Sequence, residues 1–349
     1  MGQRILVTGH NGYLGSVLTP LLVKAGYSVA GLDTGYFDEC TLFKRPVPVP
    51  EIKKDIRDLQ PADLEGFHGV IHLAALSNDP IGNLNRQWTE EINFQASVRL
   101  AQLAKNSGVK RFLFSSSCIM YGMSEVAVVT EESPLDPKTE YARSKVRSEE
   151  GISRLAGDRF SPTFLRNGTI YGLSPCMRFD TVLNNLVGSA VTTGKVVLQG
   201  DGKPWRPVAH VQDIARTFIH VLEAPAEQIH NQAFNNGEGG MNHQVIELAE
   251  AVLRAVPGSR LESLSSPNAD QRTYKTDFGK FARTFPGFKF QWTIEKGAEE
   301  LSKSFRSMGL TQAHFLDRRF TRLIWLSHLL ESGQLDRSLR WQTHEAMNR

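Results

Sequence analysis

The hydrophobic pattern at the start of the chain predicts a strand, a helix and a second strand in direct succession. An apolar run over residues 4–8 leads into a glycine-rich turn, a stretch with apolar residues at helical spacing follows, and a second apolar run closes on Asp33. Further apolar runs over 69–75 and 110–115 flank an amphipathic helix that begins at Asn93. Strands that alternate with helices in this way are typical of an α/β fold with a parallel sheet.

The glycine-rich turn predicts a site for a dinucleotide. Gly9 permits a tight turn, Gly12 lets the backbone approach a pyrophosphate, and Gly15 lets helix and strand pack closely. The N-terminus of the following helix offers N–H groups and the positive end of its dipole to the phosphates. Asp33 is placed to accept hydrogen bonds from the ribose hydroxyls of NAD and to repel a 2′-phosphate, although Arg45 shortly after it leaves NADP open.

A tyrosine and a lysine form a candidate catalytic pair. Tyr141 and Lys145 lie one turn apart on one face of a predicted helix, after the serine-rich strand end at 115–117. A lysine ammonium beside a phenol lowers the pKa of the tyrosine, so that Tyr141 can act as a base toward a sugar hydroxyl. A serine of the strand end can hold the same oxygen.

Composition and charge fit a large soluble α/β protein with a second lobe. The 349 residues are 40% hydrophobic and 22% charged. A net charge of +3 with scattered basic residues argues against a nucleic-acid partner, and no apolar run is long enough to span a membrane. Three cysteines without metal-like spacing predict no metal site and a reducing, cytoplasmic location.

Taken together, the motifs resemble the extended short-chain dehydrogenase/reductase superfamily, and specifically its NAD-dependent nucleotide-sugar epimerase/dehydratase branch. The resemblance extends over roughly residues 1–300. It is carried by the glycine turn, Asp33, the pair Asp55 and Ile56, HLAA at 72–75, Asn93, SSSCIMYG at 115–122, YARSK at 141–145, FLRNGTIYG at 164–172, NNL at 184–186 and WRPVAHVQDIA at 205–215.

This resemblance implies a Rossmann-type doubly wound parallel sheet with a smaller C-terminal substrate-binding lobe. Residues 1–170, with about 205–235, would form the NAD-binding domain, and 171–204 with 236–304 the nucleotide-sugar-binding lobe. Residues 305–349 would form an appended helical extension, because large apolar residues recur there at helical spacing before Gly333. We expect that helix to pack on the body or on a partner subunit, and the family implies a homodimer through helices of the Rossmann lobe.

The resemblance also implies a role for each matching residue. Ser117, Tyr141 and Lys145 would be catalytic, and Lys145 would also bind the nicotinamide ribose. The residues expected to line the NAD are Gly9, Asn11, Gly12, Tyr13, Leu14, Gly15, Asp33, Asp55, Ile56, Leu73, Ala74, Ala75, Asn93 and Ser115, together with Tyr141 and Lys145. Those expected to bind the nucleotide-diphosphate sugar are Ser117, Asn167, Thr169, Arg178, Asn185, Leu186, Arg206 and Arg272.

Two positions at which this chain differs from the branch limit the reactions that it can catalyse. The 4,6-dehydratases of the branch carry an Asp-Glu pair where this chain has Cys118 and Ile119, and isoleucine cannot transfer a proton. The 3,5-epimerases keep a cysteine acid at the position of Ile119, so we interpret Cys118 as a small packed residue. Reversible hydride transfer is the chemistry that remains.

A nucleotide-sugar 4-epimerase matches these residues best. Tyr141 would remove the C4 hydroxyl proton while tightly bound NAD takes the C4 hydride, and the transient 4-keto sugar would turn over before the hydride returns. A 4-ketoreductase or oxidase, or a dehydratase, is the alternative, while an intact Ser117, Tyr141 and Lys145 disfavour a dinucleotide sensor without turnover.

Two further departures leave the nucleotide open. Thr169 stands where UDP-galactose 4-epimerases carry an asparagine, and Pro267 replaces an arginine near the uridine diphosphate. Asp270 and Arg272 are the candidates to replace that arginine. UDP, GDP and dTDP therefore all stay possible, and the sequence does not decide the sugar or the carbon.

Overall fold

A parallel seven-stranded sheet forms the centre of the computed structural model, which describes residues 2–77, 81, 84–123, 128–264 and 272–342. The strands of the chain are β1 (Arg4–Thr8), β2 (Ser28–Asp33), β3 (Glu51–Lys53), β4 (Gly69–His72), β5 (Arg111–Ser117), β6 (Ser161–Asn167), β7 (Thr169–Tyr171), β8 (Lys195–Gln199), β9 (Trp205–His210), β10 (Gln232–Asn236), β11 (Asn242–Gln244) and β12 (Arg260–Leu264). The spatial order in the central sheet is β10-β6-β5-β4-β1-β2-β3, so the direction of winding reverses between β1 and β4. This order confirms the predicted doubly wound sheet.

Helices cover both faces of the sheet. Within the described ranges, no helix is long and apolar enough to cross a membrane. The helices are α1 (Gly15–Lys24), α2 (Arg86–Trp88), α3 (Ala96–Asn106), α4 (Glu140–Ser153), α5 (Val182–Thr193), α6 (Val211–Glu223), α7 (Ala226–Ile229), α8 (Val245–Ala255), α9 (Gly279–Thr284), α10 (Ile294–Ser307), α11 (Gln312–Phe315) and α12 (Arg322–Glu331). A π-helix over Thr89–Gln95 joins α2 to α3, and short 3₁₀ helices cover Ile56–Asp58, Pro61–Leu64, Cys118–Tyr121, Gly239–Met241 and Arg318–Phe320.

Alternate residues of β1 enter two different hydrophobic cores. Ile5 and Val7 are fully buried on the side of α1 and α6, whereas Leu6 is fully buried on the side of α3. Because successive side chains of a strand point to opposite faces, a continuous apolar strand is expected where helices cover both faces. The carboxyl ends of the parallel strands are left to line a site.

The smaller lobe contains two short sheets. β9 pairs with β7 and with β11, and β8 pairs with β12. The segment 205–235, which the family resemblance assigns to the Rossmann domain, contributes to both sheets. β9 lies in the smaller three-stranded sheet, whereas β10 completes the central sheet and α6 packs on α1.

The C-terminal extension packs on the body of the same chain. Trp325, Leu326 and Leu329 of α12 are buried in the core that contains Leu32 of β2. Gly333, with a φ of +72°, follows the helix and ends it, as the apolar spacing predicts.

Truncating Leu326 to alanine should lower the free energy of unfolding by about 2–4 kcal/mol, because its fully buried side chain would leave a cavity. Ile324 lies on the same helix but is 52% exposed, so Ile324→Ala should change that free energy by about 0.5 kcal/mol or less. Urea unfolding of both variants measures the difference. Equal effects would mean that α12 does not dock as described.

Candidate active site

A cavity of about 960 Å³ lies between the carboxyl edge of the central sheet and the smaller lobe. Nearly all of the predicted site residues line it. The exceptions within the described chain are Asn11, Asn93 and Lys145. One cavity thus brings together residues predicted for the cofactor and residues predicted for the substrate.

The glycine turn has the shape that a dinucleotide phosphate requires. A Cβ at Gly9, whose φ is +73°, would lie 2.8 Å from the backbone nitrogen of Ala74, and a Cβ at Gly15 would lie 2.2 Å from the Gly9 oxygen. Gly12 lines the cavity, and a Cβ there would meet only the Gly9 oxygen, at 3.1 Å. Among the described residues, no side chain caps α1 at Leu14. Backbone N–H groups and the helix dipole are therefore directed at an open cradle, which fits the phosphates of NAD.

Asp33 is held at the end of β2 by backbone donors. Its carboxylate accepts hydrogen bonds from the backbone nitrogens of Asn11, at 3.2 Å, and Gly35, at 3.0 Å. Burial raises the pKa of Asp33, while these two donors favour its ionised form. The Asn11 side chain donates to Asp38 at 3.1 Å, and Arg45 lies 3.8 Å from the same carboxylate. Asn11 therefore contacts Asp33 through its backbone nitrogen, while its side chain is held by Asp38.

Lys145 lies beneath the cavity and Tyr141 lines it. Both belong to α4, whose first turn is capped by a hydrogen bond from the Ala142 nitrogen to the Thr139 side chain at 3.1 Å. The Lys145 Nζ donates to the Ser115 carbonyl at 2.8 Å and lies 5.6 Å from the centre of the Tyr141 ring. Burial lowers the pKa of Lys145 to about 8.

Ser117 is fixed at the end of β5. Its Oγ accepts from the Ile119 nitrogen at 3.3 Å and donates to the Asn167 carbonyl at 3.5 Å. The Asn167 side chain in turn donates to the Ser115 hydroxyl at 3.1 Å, so two neighbouring strands hold the serine hydroxyls in place.

The two residues that follow Ser117 have no means of moving a proton in the cavity. The Cys118 thiol is fully buried, lies 3.1 Å from the Arg166 carbonyl oxygen and is not among the described residues that line the cavity. Burial raises the pKa of that thiol to about 12. Ile119 does line the cavity, and its side chain is a hydrocarbon.

Asn93 lies outside the cavity lining and joins two segments of the wall. Its side chain accepts from the Leu76 nitrogen at 2.8 Å and donates to the Leu76 carbonyl at 3.1 Å and to the Ser144 hydroxyl at 3.4 Å. It therefore joins the segment after β4 to α4.

The smaller lobe places polar groups on the opposite wall. Asn185, at the start of α5, donates to the Phe179 carbonyl at 2.8 Å. Arg178 forms a two-point ion pair with Asp180 at 2.8 and 3.1 Å. The remaining predicted residues of this wall, Thr169, Leu186, Arg206 and Arg272, also line the cavity, whereas Pro267 and Asp270 lie outside the described residues.

Several lining residues carry no signal in the sequence. Tyr36, Ser77, Asp180 and Arg322 line the cavity but belong to no recognised motif. Arg322 comes from the C-terminal extension, so only the folded chain brings it to the site. Tyr13 has a second role besides lining, because its hydroxyl donates to the Gly172 carbonyl at 2.6 Å and ties the glycine turn to the smaller lobe.

Comparison with known proteins identifies the family of this chain. The sequence model of the NAD dependent epimerase/dehydratase family matches residues 5–237. A UDP-glucose 4-epimerase of Corynebacterium glutamicum is 29% identical over 270 residues, which cover 72% of this chain and 80% of that protein. A UDP-glucose 4-epimerase of Bacillus subtilis is 27% identical over 330 residues, which cover 85% and 94% of the two chains. The structure is similar to a dTDP-glucose 4,6-dehydratase of Streptomyces venezuelae with NAD bound, at a TM-score of 0.75 and 25% identity over 89% of this chain and 100% of that chain.

Replacing Gly12 by leucine should weaken cofactor binding without unfolding the protein. A Cβ there would lie 3.1 Å from the Gly9 oxygen, a close contact that a small backbone shift relieves, but a larger side chain would extend into the cradle. We expect the affinity for NAD to fall at least about tenfold, a loss of about 1.4 kcal/mol or more, with the melting temperature of the NAD-free protein nearly unchanged. Calorimetric titration with NAD and a thermal melt measure the two quantities. Unchanged affinity would place the phosphates elsewhere.

The low pKa of Lys145 should make stability depend on pH. The folded protein releases the proton at about pH 8, whereas the unfolded chain keeps it to about pH 10.4, so burial destabilises the fold below pH 8 and this penalty disappears as the pH rises. Relative to Lys145→Met, the NAD-free wild type should gain more than about 1 kcal/mol between pH 7.5 and 9.5. Denaturant unfolding at both pH values tests this, and parallel curves would contradict it.

Proposed function

This chain belongs to the NAD dependent epimerase/dehydratase family, and we propose that it is a nucleotide-sugar 4-epimerase. Its cofactor is NAD, as that of the family is. The observation that carries the proposal is the pairing of Ser117 and Tyr141 in one cavity with a buried Cys118 and an apolar Ile119 beside them. Relatives named UDP-glucose 4-epimerase support the same reaction.

Tyr141 is the group that moves the proton. We propose that it takes the proton of the sugar C4 hydroxyl and later returns it, while Ser117 holds the same oxygen. The charged ammonium of Lys145, 5.6 Å from the ring centre, favours the phenolate that this step needs. When bound, NAD supplies the reversible acceptance of a hydride from the sugar carbon.

One wall of the cavity would bind NAD, and the opposite wall would bind the sugar nucleotide. The glycine turn would hold the NAD phosphates, and Asp33 the adenosine ribose. On the opposite wall, Asn185, Arg206 and Arg272 would face the diphosphate of the sugar nucleotide, since guanidinium groups bind phosphates in a two-point geometry. A homodimer and a cytoplasmic location stay predictions of the family resemblance.

The alternative reactions have less support. A 4,6-dehydratase needs an additional acid and base, and the cavity presents Ile119 at the matching position. A ketoreductase or oxidase uses the same residues but must exchange its cofactor in every turnover. A 4-epimerase regenerates its cofactor, and this difference can be measured.

The direct test is NMR of sugar nucleotides incubated with the protein and NAD in D₂O. UDP-hexoses are the first of the panel because both relatives are named for UDP-glucose, followed by GDP- and dTDP-hexoses. We expect a C4 epimer with all carbon-bound protons retained and no net change in NADH. Deuterium at C3, C5 or C6 would instead show enolisation or elimination, and would refute the proposal.

Tyr141→Phe should reduce turnover by at least about a hundredfold, because the variant cannot exchange a proton with the substrate. Binding of NAD and of the sugar nucleotide should be retained, since the ring still lines the cavity. Tyr27→Phe is the matched control, as its hydroxyl lies 3.5 Å from Glu223 and outside the cavity. Steady-state kinetics that show the two variants to be equal would remove Tyr141 from the mechanism.

A further inference from the structure

The C-terminal segment 335–342, which we call the strap, lies against one end of the cavity. That end is formed by residues just after β2 and β3, where a Rossmann fold binds the adenosine half of its cofactor. The cavity wall here consists of Thr34, Tyr36, Phe37, Asp55 and Ile56.

The strap bonds directly to the segment after β2. The indole nitrogen of Trp341 donates to the Thr34 carbonyl at 2.7 Å, and the Trp341 ring lies 5.8 Å from the Tyr36 ring, centre to centre. The Tyr36 hydroxyl donates to the carbonyl of Leu339. Thr34 and Tyr36 both line the cavity, so the strap contacts residues of the cavity wall directly.

The strap also supplies charge to the segment after β3. The Arg340 guanidinium lies 3.2 Å from Asp55, and it pairs with Asp58 as well. Arg57, which is 2.6 Å from Asp55, donates to the Ser338 carbonyl at 2.7 Å. Burial alone would raise the pKa of Asp55, but the hydrogen bonds and charge of Arg57, with Arg340, outweigh it and lower that pKa.

The strap is an ordered turn that is held at several points. Asp336 accepts from the backbone nitrogens of Ser338, at 2.7 Å, and Arg340, at 2.8 Å, and Leu335 forms a β-bridge with Trp341. Trp88 donates from its indole nitrogen to the Arg337 carbonyl at 2.7 Å, which anchors the turn from a second side. A preorganised element of this kind loses little entropy when it supports a bound ligand.

We propose that the strap is a structural part of the cofactor site, with Arg340 and Trp341 as positioning residues that hold the adenosine wall closed and retain bound NAD. Ser117 and Tyr141 line the cavity, whereas Arg340 and Trp341 are not among the described residues that line it, so the strap acts on retention of the cofactor and not on the proton transfer. The proposal needs NAD to bind but does not need the reaction to be a 4-epimerisation. A retained cofactor suits an enzyme that regenerates it in each turnover.

The test measures the release of NAD from the loaded full-length protein. Arg340→Ala and Trp341→Ala should each release NAD about tenfold faster or more after dilution, as assayed in the filtrate. Arg337→Ala is the matched control, because it removes the same charge from an exposed position of the same turn and should release NAD at the wild-type rate. Arg340→Lys and Trp341→Phe should restore most of the retention, since they keep the charge and the ring.

Thermal melting of the NAD-free variants separates this role from a general loss of stability. Faster release with an unchanged melting temperature supports the proposal, and release at the wild-type rate in both alanine variants overturns it. If one alanine variant unfolds, NAD release from the conservative variants tests the proposal instead. Equally fast release from Arg340→Lys and Arg340→Ala would contradict the role of the charge. Release does not depend on sugar turnover, so a negative result in the NMR panel would refute the proposed reaction and leave this inference standing.

Discussion

The close backbone packing around the turn after β1 is the constraint on which the rest of the site depends. Only glycine leaves room at Gly9 and Gly15, where a Cβ would lie within 3 Å of neighbouring backbone atoms. The Gly9 nitrogen donates to the Leu32 carbonyl at 2.8 Å, which places the turn beside the end of β2. The same turn carries Tyr13, whose hydroxyl reaches Gly172 in the smaller lobe. One short turn thus sets the cradle, the position of Asp33 and the spacing of the two lobes.

The residues proposed as catalytic depend on a different constraint, which is burial. Lys145 is removed from water and fixed by the Ser115 carbonyl, so its charge is held at a defined distance from Tyr141. Ser117 is fixed in turn by the backbone of the 3₁₀ helix that follows it. A buried amine with a lowered pKa is costly to the fold, and such groups concentrate at functional sites. Lys145 therefore both destabilises the fold through its burial and supplies the charge beside Tyr141.

The C-terminal extension shows how an addition to a common fold can become part of its site. The helix α12 buries Trp325, Leu326 and Leu329 against the sheet, and this apolar contact supplies the attachment. The attachment then delivers polar groups to the cavity, with Arg322 lining it and the strap bonding to Thr34, which also lines it. The apolar packing of α12 thereby positions charged side chains such as Arg340, whose partners Asp55 and Asp58 are distant in the sequence.

The sequence by itself determined the features that rest on local patterns. Apolar periodicity and glycine placement predicted the alternation of strands and helices, the cradle and the helix before Gly333, because each depends on residues within about one or two turns. The doubly wound order of the sheet was implied by the family resemblance. Most of the residues that the family motifs predicted for the site line the cavity, and the assignment of Cys118 as a packed residue agrees with its burial.

The tertiary structure alone decided the contacts between distant segments. It placed β9 in the smaller sheet, put Asn93 outside the cavity lining, brought Arg322 to the cavity and brought Trp341 to the carbonyl of Thr34. It also showed that α12 packs on the body of the same chain. A single sequence records which residues are apolar or charged, but a pair such as Arg340 and Asp55 is defined only when the chain between them has folded.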